Sequence, residues 1–346
     1  MPKIPTKPKF IIFNLSPWSF GGFTSVTAHA YLCLKEAGWD VQVLRPNIDK
    51  DEPKERRMAL DVPYRNVSVA TALELCKSTP SLMTGVAREK DLRNPDTIYK
   101  LIDAGCHVII HGTIEKKQFQ HVDYLLGTDR AVCIRESMRG VLPNLKKYIP
   151  QPYSPAYFNA WYGAEDQAKF LKGRNHAGAV AMVVKHKNPQ IILEANRHLD
   201  PDLQVQFLGG EDRMYAKFTL SKKFPEYKFA SRFSSKVPPV SICRDWQFMV
   251  DLTVFEVGNG GTQYSFMEAM DAGCVLVIHR EWLRDIGCMK EGVNCLAVSD
   301  ATELAKLIKT KSYKRTLETL SEGYASTLAG HGPESFSKSI GRLAKS

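Results

Sequence analysis

The sequence predicts an α/β protein of two domains, each built on a doubly wound parallel sheet, with a final helix crossing back to the first domain. Three observations predict it. Short apolar runs alternate with helical periodicity through both halves of the 346 residues. Glycine pairs stand where such runs end, at Gly21 and Gly22, Gly209 and Gly210, and Gly260 and Gly261. Between the halves, residues 143–163 carry Pro143, Pro150, Pro152 and Pro155 among Tyr148, Tyr153, Tyr157, Phe158, Trp161 and Tyr162. That composition suits an extended crossing packed on a surface, not a flexible linker. The expected boundaries are 1–165, 166–325 and a returning helix at 326–346.

The elements follow in order. Residues 10–14 form a first strand, 25–37 a helix closed by Gly38 at its C-terminal stop, and 40–45 a second strand. Further strands are expected at 108–111 and 131–134. After the crossing the rhythm resumes with a strand at 179–184 and a helix at 189–198, opened by Pro189 at a favoured first position. Strands at 204–208 and 252–255 come next, then the Gly260 loop, a helix carrying Glu268, a turn at Ala272 and Gly273, and a strand at 275–278. Residues 313–345 read as helix broken at 330–333. Asp200, Pro201 and Asp202 read as a turn rather than a metal-binding pair.

Composition excludes several classes. Apolar residues make up 44% and charged residues 24%, ordinary for a globular protein. No run approaches the roughly 18 apolar residues of a membrane span, and the run at 10–15 is too short for a signal peptide. The eight cysteines show no CxxC pair and no zinc spacing. Cys33, Cys106 and Cys133 sit in apolar context as reduced core thiols do, so a cytoplasmic protein without a metal is expected. The net charge of +10 fits either simple solubility or a polyanionic partner, nucleic acid or an anionic membrane surface.

Candidate site residues cluster at strand ends. A glycine loop before a helix places backbone N–H groups where a diphosphate could sit, and Glu268 lies two turns along, within reach of a ribose. This picks out Gly260, Gly261, Thr262, Gln263 and Glu268. Gly21 and Gly22 open the first helix in the same manner, or form an ordinary turn. Lys185 and Lys187 stand at the corner before Pro189, where lysines clamp phosphates as point charges or simply face solvent. Gly209 repeats the strand-to-glycine pattern. Glu136, after the strand at 131–134, could accept a proton from an acceptor hydroxyl or join a surface ion pair with Arg135; His111 is similar. Bases and aromatics interleave over 221–236, either to track phosphates and stack bases or as the core face of a strand.

With these residues in place, the chain resembles GT-B glycosyltransferases of the retaining family-4 type, two facing Rossmann-like domains. The resemblance rests on Glu268-Ala269-Met270-Asp271-Ala272-Gly273, which matches a donor-domain segment whose glutamate holds the nucleotide ribose. Lys187 matches the lysine of that family's diphosphate-binding Arg-Lys pair. The arginine position falls on Met182, so Lys185 would substitute for it. Gly260 stands where a second glutamate is usual, Glu256 lies twelve residues ahead of Glu268, and the acceptor-domain His-Asp segment falls on Arg135 and Glu136. The chain is also similar to phage α-glucosyltransferases acting on hydroxymethylated DNA bases, through Gly22, Thr24 and the Tyr264-to-Glu268 lead. The resemblance implies a metal-independent retaining transfer from a nucleotide sugar, UDP-linked, to a hydroxymethylated pyrimidine in duplex DNA, in the cytoplasm (the host's, if viral) and without stable membrane association. Phosphate contacts then fall to Lys116, Lys117, Arg139, Lys146 and Lys147. The alternatives are a cell-surface, lipid or protein glycosyltransferase, and a catalytically degenerate nucleic-acid-binding relative.

Overall fold

A computed structural model of the chain describes residues 7–15, 17, 22–48, 50–58, 62–85, 96–110, 122–135, 137–138, 145, 147–156, 176–180, 183–208, 212–226, 246–255, 261–284 and 288–345. Unit 1 comprises Met1–Tyr157, Val257–Asn259 and Ala329–Ser346; unit 2 comprises Phe158–Glu256 and Gly260–Leu328.

Unit 1 contains β1 (Lys9–Asn14), α1 (Gly22–Glu36), β2 (Asp40–Ile48), β3 (Arg56–Arg57), β4 (Pro63–Ser68), α2 (Val69–Ser78), β5 (Ser81–Gly85), α3 (Asp96–Asp103), β6 (His107–Ile110), α4 (Val122–Gly127), β7 (Ala131–Cys133) and β8 (Lys147–Tyr148). Among the described residues the strands run in the order β3-β4-β2-β1-β5-β6-β7-β8, parallel except for β3 against β4. Five consecutive residues of β1 are buried, as a central strand covered on both faces requires. Helix α1 ends where Gly38 takes φ +85°, its N–H bonding Lys35 O while Trp39 N bonds Leu34 O. Ser68 caps α2 by accepting from Thr71 N at 3.1 Å.

β4, α2, β5 and α3 have no counterpart among the expected elements. Arg65 and Asn66 interrupt the apolar pattern of β4, and the buried Asn66 side chain donates from Nδ2 to Glu52 Oε2 at 2.9 Å. Part of the proline-rich crossing is buried in unit 1: Ile149, Gln151, Tyr153 and Ser154 lose nearly all exposure. Tyr153 stacks on His29 of α1 at 4.9 Å, and Ser154 N donates to His29 Nδ1 at 3.0 Å.

Unit 2 contains β9 (Ala177–Val180), α5 (Pro189–Asn196), β10 (Val205–Leu208), the short helices α6 (Arg213–Tyr215) and α7 (Ser221–Lys223) joined through a π-turn at Ala216–Leu220, β11 (Phe248–Asp251), α8 (Tyr264–Asp271), β12 (Val275–His279), β13 (Leu296–Val298), α9 (Ala301–Thr310) and α10 (Tyr313–His331) up to Leu328, its last residues from Ala329 belonging to unit 1. The order β10-β9-β11-β12-β13 is parallel throughout. Helix α10 is pinned to the sheet by hydroxyls. Tyr324 OH accepts from Leu276 N and donates to Cys274 O, both at 2.9 Å, and Tyr313 OH donates to Gly273 O at 2.7 Å. The chain ends in α11 (Pro333–Leu343), which packs on α1; Trp39 Nε1 donates to Ser337 Oγ at 2.8 Å.

Three expectations need correction. The strand placed at 252–255 lies four residues earlier, because Phe248–Asp251 is the buried run that pairs with β9 and β12. The strand-face reading of 221–236 fails at its start: Ser221–Lys223 is helical and Phe224 enters the core from the helix end, while 227–236 lies outside the described residues. The first helix begins at Gly22, three residues before the expected start. The Asp200–Asp202 segment is a turn, as expected.

One glycine in β9 sets a packing limit. A Cβ on Gly178 would stand 2.1 Å from the Trp246 indole, itself buried. Gly178→Ala is expected to destabilise the protein by about 1–3 kcal/mol, while Gly330→Ala, with open space around it inside α10, leaves stability equal or higher. Urea unfolding followed by tryptophan fluorescence checks both.

Candidate functional site

In unit 2 the chain winds outward from β9 in both directions, with β10 on one side and β11 on the other. Connections leaving β9 and β11 therefore diverge, and a crevice opens outside their carboxyl ends. Two lengths of chain enter it: the turn after β9, and the segment from the end of β11 to the start of α8.

The first is a 3₁₀ turn, Lys185–Lys187, followed by Asn188 at φ +47°, a left-handed conformation that asparagine tolerates well. Asn188 Nδ2 donates to Leu252 O at 3.1 Å, and His186 O accepts Val254 N at 2.8 Å. Trp282 Nε1 donates to Thr253 O at 2.8 Å. These bonds explain why 252–255 is not a strand: three of its backbone groups are spent on the turn after β9 and on Trp282.

Asp251, the last residue of β11, is buried. Its Oδ1 accepts Thr253 N at 3.1 Å and also the Thr253 hydroxyl, and its Oδ2 accepts Ser265 Oγ at 2.6 Å. Lys187 Nζ donates to Thr253 Oγ1 at 2.8 Å. Burial opposes ionisation of Asp251, but the Lys187 charge and these hydrogen bonds outweigh it and hold the carboxyl below its usual range. Ser265 belongs to the first turn of α8, so the helix N-terminus is anchored at the carboxyl end of β11.

Ahead of α8, Gly261 takes φ +107°, a conformation that only glycine adopts without strain, and Thr262 is buried. Gln263 is the N-cap residue, in extended conformation. Glu268 sits one turn into the helix. Desolvation, with no hydrogen bond or neighbouring charge among the described residues to offset it, pushes its pKa from 4.5 up to about 7. A cationic corner, a helix N-terminus and an uncompensated carboxylate thus border one crevice. That arrangement can bind an anion at one end and a pair of hydroxyls at the other.

The structure brings Lys187, Thr262, Gln263 and Glu268 to this side of unit 2, with Gly261 beside them; Lys185 starts the turn with its side chain in solvent. Gly22 is the first residue of α1. Gly21, Gly209, Gly260, Glu136, Lys116, Lys117, Arg139 and Lys146 lie outside the described residues, as do His111, Met182 and Glu256. Lys147 lies in β8, where its ammonium pairs with Asp129 at 3.0 Å and stands 3.4 Å from His107 Nε2, at the amino ends of β6 and β7. Sequence reasoning missed Asp251, Thr253, Ser265 and Asn188. An aspartate closing the apolar run Phe248–Asp251 was the available signal.

No protein-family model matches the chain, and no curated protein sequence matches it. Solved structures match over nearly the full length. An alpha-glucosyltransferase in complex with UDP and a 13-mer DNA containing an HMU base is 12% identical, with a TM-score of 0.68 over 99% of this chain and 100% of that one. Anabaena Alr3699/HepE in complex with UDP-glucose is 12% identical, with a TM-score of 0.62 over 97% and 99%. Sucrose-phosphate synthase from Thermosynechococcus elongatus is 13% identical, with a TM-score of 0.64 over 98% of each chain. The chain shares their fold, the GT-B fold with its pair of Rossmann-like domains.

The raised Glu268 pKa fixes a sign for stability. Between about pH 4.5 and 7 the folded chain keeps a proton that the unfolded chain has released, so this contribution is full below the window and declines as pH rises through it. Glu268→Gln removes the effect. Its stability relative to wild type is expected to rise by about 1–3 kcal/mol between about pH 5 and about pH 8, measured by urea unfolding at each pH.

Proposed function

We propose that the protein is a glycosyltransferase that moves a sugar from a UDP-linked donor to the hydroxyl of a hydroxymethylated pyrimidine in duplex DNA, with retention of anomeric configuration. The observation that carries the donor half is the meeting of Lys187, the start of α8 and the desolvated Glu268 outside β9 and β11. In this reading the ribose hydroxyls donate to Glu268. The diphosphate lies against the N-terminus of α8, with the loop of Gly260, Gly261 and Thr262 on one side and Lys185 and Lys187 on the other. Gly209 borders the same donor. During transfer the bond between the anomeric carbon and the phosphate oxygen breaks, and UDP leaves with its charge held by the lysines and the helix dipole. The acceptor oxygen bonds the anomeric carbon from the leaving-group face and passes its proton to the departing phosphate oxygen or to Glu136, the residue proposed to orient or deprotonate it.

The acceptor assignment is supported by full-length likeness to an alpha-glucosyltransferase solved with DNA and by the net charge of +10. A base inside a duplex must be extruded to react, at a cost of a few kcal/mol, and phosphate contacts offset that cost. Lys116, Lys117, Arg139, Lys146 and Lys147 are the proposed contacts, although Lys147 already holds Asp129 and would have to exchange partners.

A second reading, transfer to a lipid or cell-surface acceptor, is favoured by one surface of unit 2. Met214 is 66% and Phe218 50% exposed, and Lys217 Nζ stands 5.5 Å from the Phe218 ring centroid. Apolar side chains beside a lysine suit a peripheral hold on an anionic bilayer. Among the described residues no helix is long and apolar enough to cross a membrane.

Two measurements test these readings. Glu268→Ala is expected to weaken UDP binding by about 1–3 kcal/mol, the scale of hydrogen bonds to a charged group; unchanged UDP affinity refutes the ribose role. Labelled sugar from UDP-glucose is expected to appear on hydroxymethylated but not unmodified duplex, with binding that falls steeply as salt rises. Transfer to liposome-borne acceptor with none to DNA decides for the second reading.

A further inference from the structure

We infer that Asp251 is a positioning residue for the diphosphate end of the donor site: it holds Lys187 at the mouth of the β9–β11 crevice and, through Ser265, fixes that lysine relative to the helix carrying Glu268. The inference rests on the donor reading proposed above.

A lysine is a point charge on a flexible four-carbon stem, and left alone it spreads over many rotamers in solvent. Here its ammonium is held. The Thr253 hydroxyl accepts from Lys187 Nζ at 2.8 Å and donates to Asp251, so the hydroxyl relays the carboxylate's hold to the lysine. One of the three ammonium N–H groups is used in this way, leaving two for phosphate oxygens. The other carboxylate oxygen takes Ser265 Oγ at 2.6 Å, which fixes the first turn of α8 against the same anchor. A single buried group therefore sets the distance between the phosphate-binding corner after β9 and the ribose-binding helix after β11. Prepaying that geometry removes an ordering cost from ligand binding.

Solvent cannot take over the role. The cavity beside this cluster, lined by Lys187, Asp251, Ala179, Val183 and Phe207 among others, has a volume of about 10 Å³. That is at the lower limit for one water molecule, so Asp251 depends on its protein partners and on the Lys187 charge.

The opposite effect has to be weighed. A carboxylate near a bound diphosphate repels it, so Asp251 would weaken binding if its charge acted alone. The sign of the effect in Asp251→Asn decides, because the amide keeps the shape and removes the charge that holds Lys187. If Asp251 positions Lys187, the Kd for UDP rises about tenfold, the loss of one charge-assisted hydrogen bond, while the Kd for uridine, which has no phosphate, stays within about twofold. Thr253→Val removes the relay hydroxyl and leaves both charges, so it keeps the question open to measurement if Asp251→Asn fails to fold; the same selective loss is expected. Lys187→Met is expected to lower Tm, and adding Asp251→Asn to it to restore Tm while UDP binding stays weak.

Titration calorimetry with UDP and uridine, together with melting of the four variants, provides the test. Selective loss of UDP affinity supports the role. Tighter UDP binding, unchanged UDP binding, or equal loss of UDP and uridine overturns it while the donor site stands. Failure of the wild-type protein to bind UDP overturns the donor reading itself, and the positioning role falls with it.

Discussion

The site depends on β9 standing inside its sheet rather than at an edge. Parallel strands need a crossover between them, and each crossover covers one face of the sheet. From β9 the chain moves to β10 on one side, and then returns past β9 to β11 on the other. The crossovers leave in opposite directions, so neither covers the carboxyl ends of β9 and β11. Strands in the order β9-β10-β11 would leave no such gap at this place. The turn of Lys187, the side chain of Asp251 and the start of α8 are neighbours because of strand order, and their separation in sequence has no bearing on it.

Two carboxylates border this gap and meet opposite environments. Asp251 is buried deeper, yet it stays ionised, because Lys187, Ser265 and Thr253 supply charge and donors. Among the described residues Glu268 has nothing to set against desolvation, and its pKa climbs to about 7. A group whose ionised form is unsupported in the empty protein can be supported by a ligand. Hydroxyls of a bound ribose donate to a carboxylate, which stabilises the charged form and draws the pKa down again. On the proposed donor reading, the stability forgone at Glu268 is recovered on binding, as is common at functional sites. Asp251 has no such deficit, which is the physical ground for giving it a supporting role and Glu268 a binding one.

The α/β class was legible from β1 and β12, unbroken apolar runs with a polar stop, and from β2 and β10, whose apolar stretches are interrupted by a single glutamine, Gln42 and Gln206. The Glu268 helix was legible from its glycine entrance. Between residues 63 and 103 the pattern failed, since β4 buries Asn66 and α3 spans only eight residues. The shift of β11 has a different cause. Residues 248 to 255 are apolar apart from Asp251 and Thr253, and the sequence carries no sign of which half pairs with β12. What separates them is that the backbone of the second half bonds to Asn188, His186 and Trp282, contacts invisible to any local pattern. Asp251 escaped notice for the same reason: a carboxylate ending an apolar run reads as a strand stop until its partners, 64 residues upstream and 14 downstream, are seen.

The sheet of unit 1 has a divergence point of its own, between β1 and β5, and its chemistry differs. There Asn14 Nδ2 donates to Thr27 Oγ1 at 2.7 Å, the Thr27 and Thr84 hydroxyls share a hydrogen bond at 2.6 Å, and Thr84 Oγ1 donates to Phe13 O at 3.3 Å. All three side chains are buried, and none carries charge. Buried neutral groups that satisfy one another add rigidity without a field, whereas Lys187 and Asp251 create one. A diphosphate needs compensating charge close by, and a sugar acceptor hydroxyl does not. On these grounds the proposed donor reading puts the phosphates in unit 2, where Lys187 and Asp251 supply a field, and not beside the neutral network of Asn14, Thr27 and Thr84.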